Sequence, residues 1–263
     1  MGRRDIGHPA PRTAPFEVHP ASAVLGAEIV GVDLAPTVDD VTAENLREAL
    51  WTHKVLVFRD QHLAPDAHVR AVEIFDHPQW LYRHQDNRLV YVFELDKPGA
   101  AAAWHVGGTW RNPPFELESL TYQVVPEIGG RTLWANLQAA YDGLSEPVKG
   151  LLESVSAVYS AYPGDGTYNR PPVTETIEHP VSPHWPQGHL PQLVRAPADR
   201  RPPGRGRGPA AVPASACILT QLHGQFRLEA RDFVIRDGHY AAMWRQREGK
   251  PTTHGGEFAR TPQ

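Results

Sequence analysis

The residues best suited to chemistry lie in a short segment, 104–110, with the sequence Trp-His-Val-Gly-Gly-Thr-Trp. It places His105 between tryptophans and just before a Gly-Gly pair. A second pair, Gly129-Gly130, precedes a strand-like run that opens with Thr132. A neutral imidazole is the commonest side-chain metal ligand in proteins. A single histidine beside a tryptophan is nevertheless more often a packed core residue, so these residues alone leave both interpretations open.

Composition restricts the class of protein. A chain of 263 residues with 41% hydrophobic and 21% charged residues suits one large globular domain. The net charge of −4 makes a nucleic-acid partner unexpected. A single cysteine, Cys217, excludes an internal disulfide and thiolate metal clusters and fits a reducing cytoplasm. No apolar run approaches ~20 residues, and the N-terminus lacks the apolar core of a signal peptide, so we expect a cytoplasmic protein without a membrane span.

The elements that must position these residues begin with two strands, predicted at residues 16–18 and 27–32 from their β-branched residues. Thr42 is predicted to N-cap a helix that runs to about residue 52, with Val41 and Leu46 as a hydrophobic staple. The apolar run Val55–Phe58 predicts a buried strand.

The middle of the chain continues this alternation of helices and strands. Pro65 is predicted to open a helix whose apolar face carries Val69 and Val72. Strands are predicted at residues 89–95 and 120–125, and the latter is expected to pair with 132–135 through a hairpin turn at Gly129-Gly130. Finally, we predict a helix with Ser145 as its N-cap and with these apolar residues facing inward: Val148, Leu151, Leu152 and Val155. Strands and helices in this arrangement predict an α+β fold.

Two further segments point to a known family. Residues 25–34 (LGAEIVGVDL) and 54–61 (KVLVFRDQ) precede the Trp104-His105 pair in the order and spacing of that family. Over roughly residues 22–181 the chain resembles the TauD/TfdA (taurine dioxygenase-like) family of Fe(II)- and 2-oxoglutarate-dependent oxygenases. The resemblance implies a double-stranded β-helix, or jelly-roll, core with flanking helices. We expect a single domain over residues 16–263 after a disordered leader, 1–15.

The resemblance also implies an iron centre. The family holds iron with a His-x-Asp pair and a distal histidine, which leave positions open for 2-oxoglutarate and oxygen. His105 matches the first histidine, whereas Gly107 stands at the aspartate position. Residues 225–237 resemble a late strand that runs into a Trp-Asp-Asn-Arg motif, and counting from its aspartate, Asp237, places the distal ligand at Met243. A thioether is a poor ligand for ferrous iron, and His239 is the nearby alternative, so the predicted metal ligands are His105 and His239.

The cosubstrate site follows from the same resemblance. Thr132 matches the family's threonine, whose hydroxyl can hydrogen-bond the remote carboxylate of 2-oxoglutarate. The arginine that pairs with this carboxylate would fall at His254, and Arg245 and Arg260 are nearby candidates that the spacing does not support.

Two classes of function remain open from the sequence. The first is an Fe(II)/2-oxoglutarate-dependent dioxygenase that hydroxylates a small, anionic organic substrate, without nucleic-acid or membrane partners and with homo-oligomerisation left open. The second is a catalytically impaired relative that lacks a complete iron site, as Gly107, Met243 and His254 suggest. A less favoured variant is a halogenase-like centre in which a halide occupies the position that Gly107 leaves vacant.

The region after residue 181 differs in composition. Residues 182–215 contain eight prolines and five arginines against one acidic residue, Asp199. Such a segment buries too little apolar surface to offset the entropy of ordering it, so we predict an irregular segment. A disordered insertion and a stretch translated from a shifted reading frame both fit this composition.

Overall fold

A computed structural model describes residues 14–76, 91–93, 106, 115–125, 131–153, 156–160, 176–180, 223–238, 241–245 and 256–262. Within these ranges the chain forms four helices and twelve strands. The helices are α1 (Asp40–His53), α2 (Pro65–Glu73), α3 (Leu137–Asp142) and α4 (Glu146–Glu153). None of the described helices combines the length and apolar character needed to cross a membrane.

The strands divide into three sheets. In chain order they are β1 (Glu17–Pro20), β2 (Ala27–Val30), β3 (Val55–Phe58), β4 (Tyr91–Phe93), β5 (Phe115–Tyr122), β6 (Thr132–Asn136), β7 (Ser156–Ser160), β8 (Thr176–Pro180), β9 (His223–Phe226), β10 (Phe233–Asp237), β11 (Ala241–Arg245) and β12 (Gly256–Pro262). The largest sheet has the order β1-β2-β3-β10-β5-β12-β4, a second has the order β11-β6-β9, and β7 pairs with β8. All of these pairs are antiparallel except β2 with β3. The expected mixture of helices and strands is therefore present.

Alternation along β10 divides the core into two layers. Phe233 and Ile235 belong to an outer cluster that includes residues of α1 and α2, whereas Val234 belongs to an inner cluster with residues of the three-stranded sheet. Successive strand residues point to opposite faces, so one central strand contributes to both layers. The inner cluster consists of Leu25, Val55, Val57, Leu120, Tyr122, Trp134, Phe226, Leu228, Val234, Ala241 and Met243.

The first helix begins earlier than the sequence predicts. Asp39 is the N-cap of α1, since its Oδ1 accepts a hydrogen bond of 2.9 Å from the backbone N–H of Thr42. The Thr42 hydroxyl donates to the other carboxylate oxygen of Asp39 at 2.8 Å. The prediction of Thr42 as N-cap was wrong because an aspartate three residues earlier takes that position. Val41 then lies inside the helix, so the predicted staple with Leu46 does not form.

The predicted hairpin was also wrong. The strand expected at 120–125 is β5, which starts at Phe115, and both of its edges pair with β10 and β12. The strand that follows, β6, pairs with β9 and β11 in the other sheet. The connection through residues 126–130 therefore joins the two sheets, because β5 offers no free edge to β6.

Other predictions have mixed outcomes. The buried strand β3 and the helix opened by Pro65 are confirmed. The strand expected at 89–95 is β4, three residues long. In α4, Val148 is 40% exposed and Leu151 is 61% exposed, so their predicted inward orientation was wrong. The N-terminal leader, except residues 14–15, and the whole of 182–215 lie outside the described residues, and the predictions about them stand as predictions.

Candidate functional site

The predicted cosubstrate residue, Thr132, lies at the start of β6 and is fully buried. Its Oγ1 is 3.1 Å from the phenol oxygen of Tyr122, the last residue of β5, and either oxygen can be the donor. The two residues come from different sheets, so this hydrogen bond joins the sheets across the inner layer. A pair of hydroxyl groups therefore lies against the apolar inner cluster, to which Tyr122 itself belongs.

Trp134 continues the same face of β6, two residues beyond Thr132. Its side chain is fully buried and contacts the ring of Phe226 edge-on at 5.3 Å between centroids. Among the described residues, no acceptor lies within hydrogen-bonding distance of its indole Nε1. A buried N–H group without an acceptor is uncommon in folded proteins, so this donor is available to an acceptor from outside the described residues.

The register of β11 places three residues along this face. Ala241 is opposite Asn136, Met243 is opposite Trp134, and Arg245 is opposite Thr132. Met243 is buried within the inner apolar cluster. Its thioether therefore serves packing at the position that counting assigned to the distal ligand.

Charged residues also occupy the inner layer. Arg236, on the same face of β10 as Val234, forms a buried ion pair with Glu118 of β5 and donates to the backbone oxygen of Ala241. The next residue, Asp237, is on the opposite face of β10, is fully buried and forms an ion pair of 3.7 Å with Lys54. The sequence alone does not predict these ion pairs. The available signal was the Arg-Asp sequence directly after the apolar run of β10.

A buried histidine lies on the other side of the sheet. His68 of α2 is fully buried, with its Nε2 2.9 Å from the Ser119 hydroxyl and its Nδ1 3.0 Å from the Thr121 hydroxyl. Burial lowers the pKa of His68 to about 3, so the ring is neutral at physiological pH. Both ring nitrogens have hydroxyl partners, which makes His68 a core residue.

A polar cleft of about 300 Å³ opens where β3 and β5 end. Tyr122 is among its lining residues, so the cleft borders the residue that forms the hydroxyl pair with Thr132. On the cleft wall, Arg231 lies 3.5 Å from Asp60 and 3.3 Å from the Nε2 of His62.

The predicted metal ligands, His105 and His239, lie outside the described residues, as do Gly107 and His254. Val106, between His105 and Gly107, is described and is buried. In the described part of the chain, no group of three histidine, cysteine, aspartate or glutamate side chains is close enough to hold a metal ion. The iron ligands therefore stay predictions, whereas the surroundings of Thr132 are defined.

Comparisons with known proteins agree with this architecture. A family model described as taurine catabolism dioxygenase TauD, TfdA family matches residues 16–207. The chain is 35% identical over 158 residues to an alpha-ketoglutarate-dependent sulfate ester dioxygenase from Pseudomonas putida, which covers 57% of this chain and 52% of that protein. The chain thus spans about half the length of the curated relatives it matches.

Solved structures show the same fold. A taurine dioxygenase from Burkholderia xenovorans superposes with a TM-score of 0.73 at 22% identity, covering 94% of this chain and 89% of that one. The structure of AAD-2 in complex with Mn(II) and N-oxalylglycine superposes with a TM-score of 0.72 at 16% identity, covering 94% of this chain and 97% of that one. Because the family model matches most of this chain, the chain belongs to the TauD/TfdA family of dioxygenases.

Proposed function

We propose that this protein is an Fe(II)- and 2-oxoglutarate-dependent dioxygenase that hydroxylates a small anionic organic substrate. The observation that carries the proposal is the buried hydroxyl of Thr132, which the family resemblance assigns to the cosubstrate and which lies inside the fold next to Tyr122. The similar Pseudomonas putida protein acts on sulfate esters, which are anionic, and this supports an anionic substrate here.

The seven-stranded and three-stranded sheets support a jelly-roll fold. We infer that the seven-stranded and three-stranded sheets close around the inner cluster as the double-stranded β-helix of the family. This inference rests on the structural neighbours and on the strand order, in which β6 lies in a different sheet from β5. In such a fold, helices α1 and α2 flank the outside of the larger sheet, in line with their part in the outer cluster.

The residues around Thr132 fit a dicarboxylate better than they fit a neutral ligand. Thr132, Tyr122 and Trp134 offer hydrogen-bond donors in a buried apolar setting, and carboxylate oxygens are strong acceptors there. Iron would be held by His105 and His239, and it supplies the coupling of 2-oxoglutarate decarboxylation to hydroxylation of a C–H bond. The chain's part is to orient the cosubstrate at Thr132 and to keep water out with the apolar inner cluster.

Turnover is the direct test. The full chain is supplied with Fe(II), 2-oxoglutarate and oxygen, and succinate formation is measured with a panel of small sulfate esters, sulfonates and aryloxyalkanoates. We expect substrate-dependent succinate from at least one class, and a higher KM for 2-oxoglutarate in Thr132→Val, with Thr132→Ser as the matched control that keeps the hydroxyl. The absence of succinate with every substrate would favour the impaired relative.

Iron binding tests the predicted ligand set separately. Because glycine supplies no oxygen ligand, we expect weak binding in an anaerobic Fe(II) titration and tighter binding by Gly107→Asp. The double variant Gly107→Asp/His239→Ala should lose that gain if His239 is the distal ligand. Tight binding by the unmodified chain would contradict the weak-site expectation, and dependence of that binding on chloride would support the halide-bound centre.

A further inference from the structure

The cleft of about 300 Å³ at the ends of β3 and β5 lies beside the seven-stranded sheet and apart from Thr132. Leu63 belongs to the outer cluster, and the Thr121 hydroxyl is bonded to His68 on the outer face, so both residues bring that face of the sheet to the cleft. The described residues that line it do not include Thr132. Its volume suits a small molecule.

The floor of the cleft consists of buried residues whose polar groups already have partners in the chain. The Gln61 amide forms hydrogen bonds with three backbone groups. The hydroxyls of Thr121 and Tyr122 are hydrogen-bonded to other side chains, and Leu63 is apolar and buried. A ligand on this floor contacts a rigid surface and gains few new hydrogen bonds there. The floor therefore favours the hydrocarbon part of a ligand over its polar head group.

The wall of the cleft carries the charge. The Arg231 side chain is 58% exposed, and its Nη1 lies 3.5 Å from the Asp60 carboxylate and 3.3 Å from the Nε2 of His62. Both distances are long for hydrogen bonds. A guanidinium has five N–H donors in a planar fork and binds a carboxylate through two parallel hydrogen bonds. Arg231 can therefore receive a carboxylate from outside the chain.

The backbone fixes Arg231 at this wall. Its N–H donates to the carbonyl oxygen of Tyr122 at 2.6 Å, and its own carbonyl oxygen accepts from the N–H of Gln61 at 2.8 Å. Its φ of 71° lies in the left-handed region, which is unfavourable for a residue other than glycine. Strained backbone of this kind is concentrated at ligand sites. The guanidinium thus projects from a fixed point, held by the end of β5 and by the segment after β3.

We propose that this cleft binds a small organic carboxylate, with the carboxylate at the Arg231 guanidinium and the hydrocarbon part on Leu63 and Ala64. Asp60 is the internal competitor for the same guanidinium, at a distance that an external carboxylate can improve on. The site goes beyond the proposed function, since neither iron nor Thr132 takes part in it.

The probe is butyrate, titrated onto the full chain at constant ionic strength and followed by saturation-transfer NMR. Butylamine has the same hydrocarbon chain with a cationic head group, and acetate has the same head group with a shorter chain. We expect butyrate to bind more tightly than both. Acetate should be weaker by about fourfold for each CH2 group that the floor buries.

Variants of the wall locate the binding. Arg231→Gln should weaken butyrate binding by about fivefold, as the loss of a half-exposed ion pair implies. Arg227→Gln is the matched control, because it removes another exposed arginine from the same connection between β9 and β10. It should bind butyrate as the unmodified chain does.

Asp60→Asn is the sharper variant, because a gain is expected. Removing the competing carboxylate frees the Arg231 guanidinium, so butyrate should bind about fivefold more tightly. Asparagine tolerates the left-handed backbone that position 60 adopts, with a φ of 47°, so the fold is retained. A purely structural role for the contact between Arg231 and Asp60 would give no tightening.

The outcomes separate this site from the inner layer and from the proposed function. Failure of the unmodified chain to bind butyrate, equal binding of butylamine, or undiminished butyrate binding by folded Arg231→Gln would overturn the proposal. Melting curves show whether each variant folds, and if Arg231→Gln does not, unchanged or weaker binding by Asp60→Asn overturns it instead. Thr132→Val should bind butyrate normally, and a loss there would place the ligand in the inner layer. Succinate formation is a separate result, because the cleft binds butyrate with or without turnover.

Discussion

The two faces of β5 carry polar residues in opposite circumstances. On the outer face, Ser119 and Thr121 direct both hydroxyls to one buried ring, His68, and each ring nitrogen has a partner. On the inner face, the Tyr122 hydroxyl forms a hydrogen bond with the Thr132 hydroxyl. Two residues further along β6, the buried indole N–H of Trp134 has no acceptor among the described residues. Within the described part of the chain, the outer group provides a partner for each ring nitrogen, whereas the inner group leaves the indole N–H without an acceptor.

The difference shows how a structural polar cluster can be told from a binding site. Both groups are buried, and burial alone would have favoured His68, since its pKa is moved to about 3. The hydrogen bonds favour the inner face instead. A polar cluster whose hydrogen bonds are all made rigidifies the core, whereas a buried donor without an acceptor can bind one from a ligand. The inner face is therefore the better place to look for chemistry, even though the histidine lies on the outer one.

The largest expected effect comes from the inner ion pair. Arg236→Leu removes the guanidinium that neutralises buried Glu118, and the free energy of unfolding should fall by about 3–5 kcal/mol in urea titrations. The exposed Arg227→Leu is the matched control and should change little. Replacing both partners in Glu118→Leu/Arg236→Leu should recover most of the loss. A loss below about 1 kcal/mol in the single variant would show that the pair is not buried as described.

The outer group predicts a pH dependence. The pKa of His68 is about 3 in the folded chain against 6.5 when exposed, so the unfolded chain takes up the proton first as the pH falls. Stability from this site is intact above pH 6.5 and should fall by roughly 1.4 kcal/mol for each pH unit below it, until about pH 3. Urea titrations of the unmodified chain and of His68→Gln between pH 7 and 5 should diverge by this slope. Parallel curves would contradict a neutral buried ring.

The smallest effect belongs to the hydroxyl pair that joins the sheets. Tyr122→Phe removes one hydrogen bond and should lower the free energy of unfolding by about 1 kcal/mol. If the inner face binds a dicarboxylate, the stabilisation that saturating 2-oxoglutarate gives should also shrink in this variant, whereas His68→Gln should retain it. Equal ligand stabilisation in both variants would remove the distinction between the two faces.

Local signals in the sequence predicted the local structure well. The apolar run of β3 and the proline at the start of α2 each led to a confirmed element. The helix start failed because two capping residues, Asp39 and Thr42, lie three positions apart and the earlier one is used. The prediction that Leu151 faces inward was wrong because helical spacing defines an apolar face of α4 but does not say whether another element packs against that face.

The pairing of strands that are distant in the chain could not be predicted from the sequence. Gly129-Gly130 favours a hairpin locally, yet β5 is flanked by β10 and β12, which lie more than a hundred residues further along the chain. Thr132 could be placed in the site only through the family resemblance. Its two neighbours could not be predicted from the sequence. The strand register identifies Arg245 as the residue opposite Thr132, and a side-chain hydrogen bond identifies Tyr122 as its partner.

The place of β10 in the large sheet has a consequence for how the chain acquires its structure. This strand lies between β3 and β5, although it is synthesised more than a hundred residues after both. As the chain leaves the ribosome, the facing edges of β3 and β5 stay without this partner until residue 237 has emerged. High contact order of this kind slows folding and exposes strand edges to other chains. Assembly of the sheet is thus tied to completion of the C-terminal third, and chaperone demand should be greatest during its synthesis.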